Sequence, residues 1–140
     1  MELIVNTVDV WAADIQDTPG ALADKLTQLA DAKADLDFII SRRQPDTPER
    51  GVVFVAPLRG DEQIEVATEV GFNISPALHS VRIEGANEAG IAARITQILG
   101  EAGINLRGLS AAIIGERFII YLALDTRGDA METVRILGQT

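Results

Sequence analysis

Two short loops carry the residue types best suited to chemistry in this chain: Asp17-Thr18-Pro19-Gly20 and Asn87-Glu88-Ala89-Gly90. Each precedes an amphipathic helical pattern. A helix start leaves backbone N–H groups unpaired and carries partial positive charge, so it can hold a carboxylate. Asp17 and Asn87 can accept hydrogen bonds from an ammonium group. Gly20 and Gly90 let a ligand approach the backbone closely. An anion held beside a cation describes a zwitterion, and an amino acid fits. The plainer alternatives are that Asp17 and Asn87 only cap their helices and that the glycines only permit close helix packing.

Other chemistries lack their residues. His79 is the single histidine, and no nucleophile motif accompanies it. With no cysteine, disulfides and thiol chemistry are excluded. No ligand pattern for a metal is present. Gly85 to Gly90 has the glycine spacing of a phosphate loop, but Ile91 and Ala92 stand where Lys and Ser/Thr are needed. Arg59-Gly60-Asp61 and Arg127-Gly128-Asp129 read as helix entrances with a turn glycine and a capping Asp. Trp11 reads as core or interface packing. The expectation is a non-enzyme with no catalytic residue, cofactor or metal.

The net charge of −9 comes from dispersed acidic residues, which repel phosphate backbones. Arg42-Arg43 is too small a basic patch to reverse that, so no nucleic-acid partner is expected. No apolar run reaches ~18 residues and no signal-peptide pattern opens the chain. The expected location is cytoplasmic, without membrane binding.

The elements that must position the two loops form a repeat. Shifted by 70 residues, Gly20 meets Gly90, Ala23 meets Ala93, Leu29 meets Leu99, Ala32 meets Ala102 and Leu36 meets Leu106. The Arg-Gly-Asp triplets meet at a shift of 68. In the first copy Thr7 to Asp14 reads as a strand. Thr18 suits an N-cap and Pro19 the first helical position. Leu22, Leu26 and Leu29 form one helical face, Leu36 to Ser41 a second strand, and Val52 to Val55 a third. Pro45-Asp46-Thr47-Pro48 marks the turn between those strands, and a helix runs from Gly60 to near Gly71. In the second copy Ser80 to Glu84 is a strand, and Ile91, Ile95, Ile98 and Leu99 form a helical face ending at Gly103. Ile104 to Ile114 and Phe118 to Leu124 form a hairpin around Gly115, and a helix runs from Asp129 to Leu137.

This order predicts an α+β fold of two ferredoxin-like βαββαβ units, antiparallel sheets with helices on one face, over residues 1–70 and 71–140. The second copy has no room for a sixth element after its last helix. Residues 72–75 serve as the sixth element of the first copy. At the same shift they match residues 2–5, so the amino-terminal strand is expected to complete the second unit. The alternative is one long strand, residues 2–14, within the first unit. A sheet covered on one face leaves the other bare, so a homodimer is expected.

The two helix-opening stretches, Asp17 to Leu26 and Asn87 to Thr96, with Glu101-Ala102-Gly103-Ile104-Asn105-Leu106 after the second, resemble the ACT-domain signature over essentially the whole chain. The resemblance implies a regulatory sensor of small molecules, most often amino acids, with the ligand at an interface of paired modules. In the serine-sensing ACT domains of phosphoglycerate dehydrogenases the loop reads His-x-Asn-x-Pro-Gly, with a further Asn opening the next strand. Asn87 and Asn105 match those Asn positions, and Asp17 and Asp35 hold them in the first copy. Ile15 and Gly85 replace the His, and Ala89 replaces the Pro in the second copy. The expected ligand contacts are Asp17, Thr18, Gly20, Asp35, Asn87, Glu88, Gly90, Ile91 and Asn105. The alternative is a non-catalytic interaction or assembly subunit that docks a metabolic enzyme and binds no small ligand.

Overall fold

The computed structural model describes residues 1–75 and 78–138. In chain order its elements are β1 (Leu3–Val8), β2 (Trp11–Gln16), α1 (Ala21–Asp31), β3 (Phe38–Arg43), β4 (Arg50–Ala56), α2 (Gly60–Glu69) and β5 (Asn73–Ile74). They continue with β6 (His79–Ala86), α3 (Ile91–Glu101), β7 (Leu106–Ile114), β8 (Arg117–Leu124) and α4 (Arg127–Leu137). The chain divides into two compact units. One is residues 9–75; the other is residues 1–8 with the described residues from 78 onward.

In the first module the sheet order is β3-β4-β2-β5, all antiparallel. Alternation along β2 and β4 sends Trp11, Ala13, Ile15, Val53 and Val55 inward. They meet Leu29 of α1, Ala67 of α2 and Phe72, all buried, with Leu22 and Leu26 partly buried beside them. In the second module the order is β1-β6-β8-β7, also antiparallel. Val81, Ile83, Phe118, Ile120, Leu122 and Leu124 meet Ile91, Ile95 and Leu99 of α3 and Ala130 and Leu137 of α4. The two sheets are the same ferredoxin-like topology. The difference is that the second takes its last strand from the amino terminus, with Leu3 to Val8 running antiparallel to Gly85 to Ser80. The expected strand from Thr7 to Asp14 is therefore two strands, parted at Asp9 and Val10, because its ends serve different sheets.

Several element starts differ from their expected places. The second strand of the first module begins at Phe38 rather than Leu36. Helix α1 begins after Gly20, so neither Thr18 nor Pro19 takes the cap or first-turn place. Helix α4 is capped by Thr126, whose hydroxyl accepts from the Asp129 N–H at 3.0 Å, and Asp129 lies in its first turn instead of capping. Gly60 does adopt a positive φ of 82° at the entrance of α2.

One pair of matched positions exchanges size between the modules. Ile15 lies across from Gly51 in the first; Gly85 lies across from Phe118 in the second. A Cβ on Gly51 would stand 3.3 Å from Ile15 Cγ1, and one on Gly85 would stand 3.0 Å from Phe118 Cε1. Each sheet therefore fills the same space from the opposite strand, at the density interiors demand.

Candidate functional site

The two helix-entrance loops are built alike. The Asp17 N–H donates to the Glu49 carbonyl at 2.9 Å, and the Asn87 N–H donates to the Glu116 carbonyl at 2.7 Å. Next, the Ala21 N–H donates to the Thr18 carbonyl at 3.2 Å, and the Ile91 N–H donates to the Glu88 carbonyl at 3.1 Å. Gly20 (φ 87°) and Gly90 (φ 82°) then take the N-cap place in the left-handed region. A Cβ at either would meet nothing within 4 Å, so these glycines serve backbone conformation rather than helix packing. Neither α1 nor α3 has a side-chain cap. Capping is thus not the role of Asp17 or Asn87. The Asp17 carboxylate instead lies 2.8 Å from Arg43 Nε, a solvent-facing pair of small energetic weight.

Of the nine expected contacts, Asp17, Thr18, Gly20, Asn87, Glu88 and Gly90 lie exposed on these loops. Ile91 starts α3 but its side chain is buried in the core. Asp35 and Asn105 are exposed in the loops that lead into β3 and β7, at the far ends of α1 and α3. Each of those helices has 11 residues, about 16 Å at ~1.5 Å per residue. Within one module the two groups therefore cannot touch one small ligand. The His position of the family loop is closed in both modules. Ile15 packs in the core, and a side chain at Gly85 would also meet the Glu2 carbonyl at 3.0 Å.

Two hollows lie near these loops. In the first module one of about 330 Å³ runs between the end of β2 and the first half of α1, lined by Asp14, Gln16, Asp24, Lys25, Gln28 and Arg50 among others. It exists because β5 pairs only with Trp11 and Ala12, leaving the rest of that β2 edge uncovered by a strand. Lys25 Nζ donates to the Val70 carbonyl and so ties α1 to the end of α2. In the second module a hollow of about 480 Å³ lies at the end of β6, lined by Glu2, Glu84, Gly85, Ala86 and Arg117 among others. Glu84 sits between two cations, 3.1 Å from Arg82 and 3.8 Å from Arg117. Burial opposes the charge of Arg82, but hydrogen bonds with Glu84 and Tyr121 outweigh it and raise its pKa.

Sequence reasoning missed the arginines. Arg50 and Arg117 occupy the same place in the two sheets, each opening the third strand across from the residue that ends the first: Gln16 and Ala86. They stand 67 residues apart, not 70, so the helix-region shift does not align them. The positional signal lies in the turn, where residues 45–49, between Gln44 and Arg50, are replaced by Gly115 and Glu116, between Ile114 and Arg117.

The model of the ACT domain matches residues 79–137. No curated protein matches the chain in sequence. Among solved structures, a protein from Bacteroides thetaiotaomicron is similar with a TM-score of 0.78 at 13% identity, over 94% of this chain and 88% of that one. The ligand-free regulatory subunit of aspartate kinase from Thermus thermophilus is similar with a TM-score of 0.61 at 19% identity, over 96% and 95%. A structure of aspartokinase alpha and beta subunits has a TM-score of 0.62 at 18% identity, over 99% and 96%. At these identities the likeness establishes a shared tandem fold. Among the described residues no helix is long and apolar enough to cross a membrane.

Proposed function

We propose that this chain, whose residues 79–137 match the ACT domain and whose two modules share one fold, is a non-catalytic regulatory sensor that binds an amino acid at an interface of paired ACT modules. The observation that carries this reading is the uncapped helix entrance, present in both modules, with a glycine in the left-handed region and a polar side chain that does not cap. Its first-turn N–H groups suit a carboxylate, and Asp17 or Asn87 suits the ammonium group. Asp35 and Asn105, a helix length away, would reach such a ligand only from another module, which supports an interface as the place of the site. Arg50 and Arg117 join the proposed contacts as further anion partners. The solved relative that is a regulatory subunit of aspartate kinase supports a metabolic enzyme as the regulated partner. Binding would shift the chain between states of different ligand affinity.

The test is a thermal-shift screen of the pure protein against the twenty amino acids. A ligand that binds only the folded state at ~100 times its Kd adds about 2.7 kcal/mol of stability. One amino acid is expected to raise the midpoint in proportion to dose, and Asn87→Ala is expected to weaken that rise while leaving the ligand-free midpoint in place. No shift at millimolar concentration with any amino acid would reject the sensor reading in favour of an assembly subunit.

A further inference from the structure

Strand β2 is fully paired on one side only. Its six residues pair with β4, while β5 covers Trp11 and Ala12 alone. The remaining edge, Ala13 to Gln16, carries no strand among the described residues. Alternate residues of an antiparallel strand turn their N–H and C=O groups to that side. In the second module the same place is filled. Leu3, Ile4 and Val5 lie across from Gly85, Glu84 and Ile83, which match Ile15, Asp14 and Ala13 at the 70-residue shift. Ile74 matches Ile4 at that shift, yet it lies across from Trp11, three residues short of Asp14. The chain's own segments are held away from this gap. Helix α2 ends at Glu69, Gly71 turns at a φ of 101°, and Phe72 is fully buried. Sliding β5 to cover Asp14 would pull Phe72 out of the core. The amino-terminal strand that would match the gap is already paired with β6. The gap borders the hollow of about 330 Å³ between β2 and α1.

We propose that the open edge of β2 takes up an extended basic segment of another protein, which adds to the sheet as a strand in line with β5. The gap is four residues long and is closed at one end by β5, so it admits a loose segment rather than the preformed sheet edge of a second copy. Side chains of the added strand alternate between the two faces. The one across from Asp14 shares its face, and Asp24 on α1 lines the same hollow. Neither carboxylate has an ion pair among the described residues, whereas the Lys25 ammonium is already held by the Val70 carbonyl. A lysine or arginine at the centre of the segment therefore meets its opposite charge. The chain's net charge of −9 draws such a segment in. Arg50, exposed across from Gln16, keeps a second basic residue away from the outer end. This contact is separate from the helix entrances and holds with or without an amino acid there.

The probe is a pentapeptide, Thr-Val-Lys-Val-Thr, acetylated and amidated at its ends so that it carries no α-ammonium or α-carboxylate group. Added at millimolar concentration to the isotope-labelled full chain, it is expected to shift the amide signals of Ala13 to Gln16 and leave those of β7 in place. It should bind about fivefold tighter than the same peptide with Glu at its centre, the size of one cross-strand charge pair. Asp14 is exposed, so Asp14→Lys is expected to reverse that order while keeping the wild-type circular dichroism. A probe methylated on its backbone nitrogens should not bind, because a strand without N–H groups cannot pair. Amides 13–16 that do not respond to the probe overturn the proposal. So does a response that ignores the central charge or survives the methylation. The capped probe offers nothing to an amino-acid site, so either failure leaves the sensor reading to its own test.

Discussion

Replacing Gly85 by alanine sets a methyl group 3.0 Å from Phe118 Cε1, 3.0 Å from the Glu2 carbonyl oxygen and 3.2 Å from Leu3 Cδ2. Carbon contacts are optimal at ~3.5–4.0 Å, so the new group is crowded on three sides. The end of Leu3 can turn away. Phe118 cannot, being buried in the core, so the strain falls on the backbone of residues 2 and 3, opposite Gly85. Overpacking of this kind costs about 1–3 kcal/mol, which in a module of ~70 residues lowers the melting midpoint by roughly 5–20 °C. Phe118→Leu removes Cε1 and by itself should cost about 1–2 kcal/mol through the space it leaves. Together the two changes should cost at least ~0.5 kcal/mol less than their sum, because one vacates what the other fills. Urea unfolding followed by circular dichroism measures all four corners of this cycle. Hydrogen exchange of the β1 amides should quicken in Gly85→Ala and recover in the double variant. Strict additivity, or a Gly85→Ala protein as stable as the wild type, would refute the size exchange as the reason for this glycine.

Two further stability predictions follow from named contacts. Thr126→Ala removes the hydroxyl that accepts from the Asp129 N–H and should cost about 0.5–2 kcal/mol in a urea melt, with Thr126→Ser close to wild type. Lys25→Met keeps the length of the side chain but leaves the Val70 carbonyl without its ammonium donor. It should cost about 1–3 kcal/mol, and amide exchange should quicken first in the last turn of α2.

Much of the fold was legible because its signals are local. The face of α3 is written in Ile91, Ile95, Ile98 and Leu99, and the β7–β8 hairpin in two apolar runs around Gly115, whose φ is 59°. The passage of the amino-terminal strand to the second sheet was legible only through the repeat, where Ile74 aligns with Ile4. The helix entrance was misread at Thr18 and Pro19, since a Thr-Pro pair looks the same whether it caps a helix or forms the turn that leads directly into a left-handed glycine. Arg50 and Arg117 were hidden by turns of different length, which change the shift from 70 to 67.

The amino-acid sequence by itself determined the kinds of element, their order, their doubling and the inward faces, because backbone preference and hydrophobic period act over a few neighbouring residues. Only the tertiary structure decided which residues come together across long separations. It put Arg50 and Arg117 across from the ends of β2 and β6, set Phe118 into the space above Gly85, and left the β7 edge open. Those outcomes depend on strand pairing and side-chain volume between segments tens of residues apart, and no local pattern encodes them.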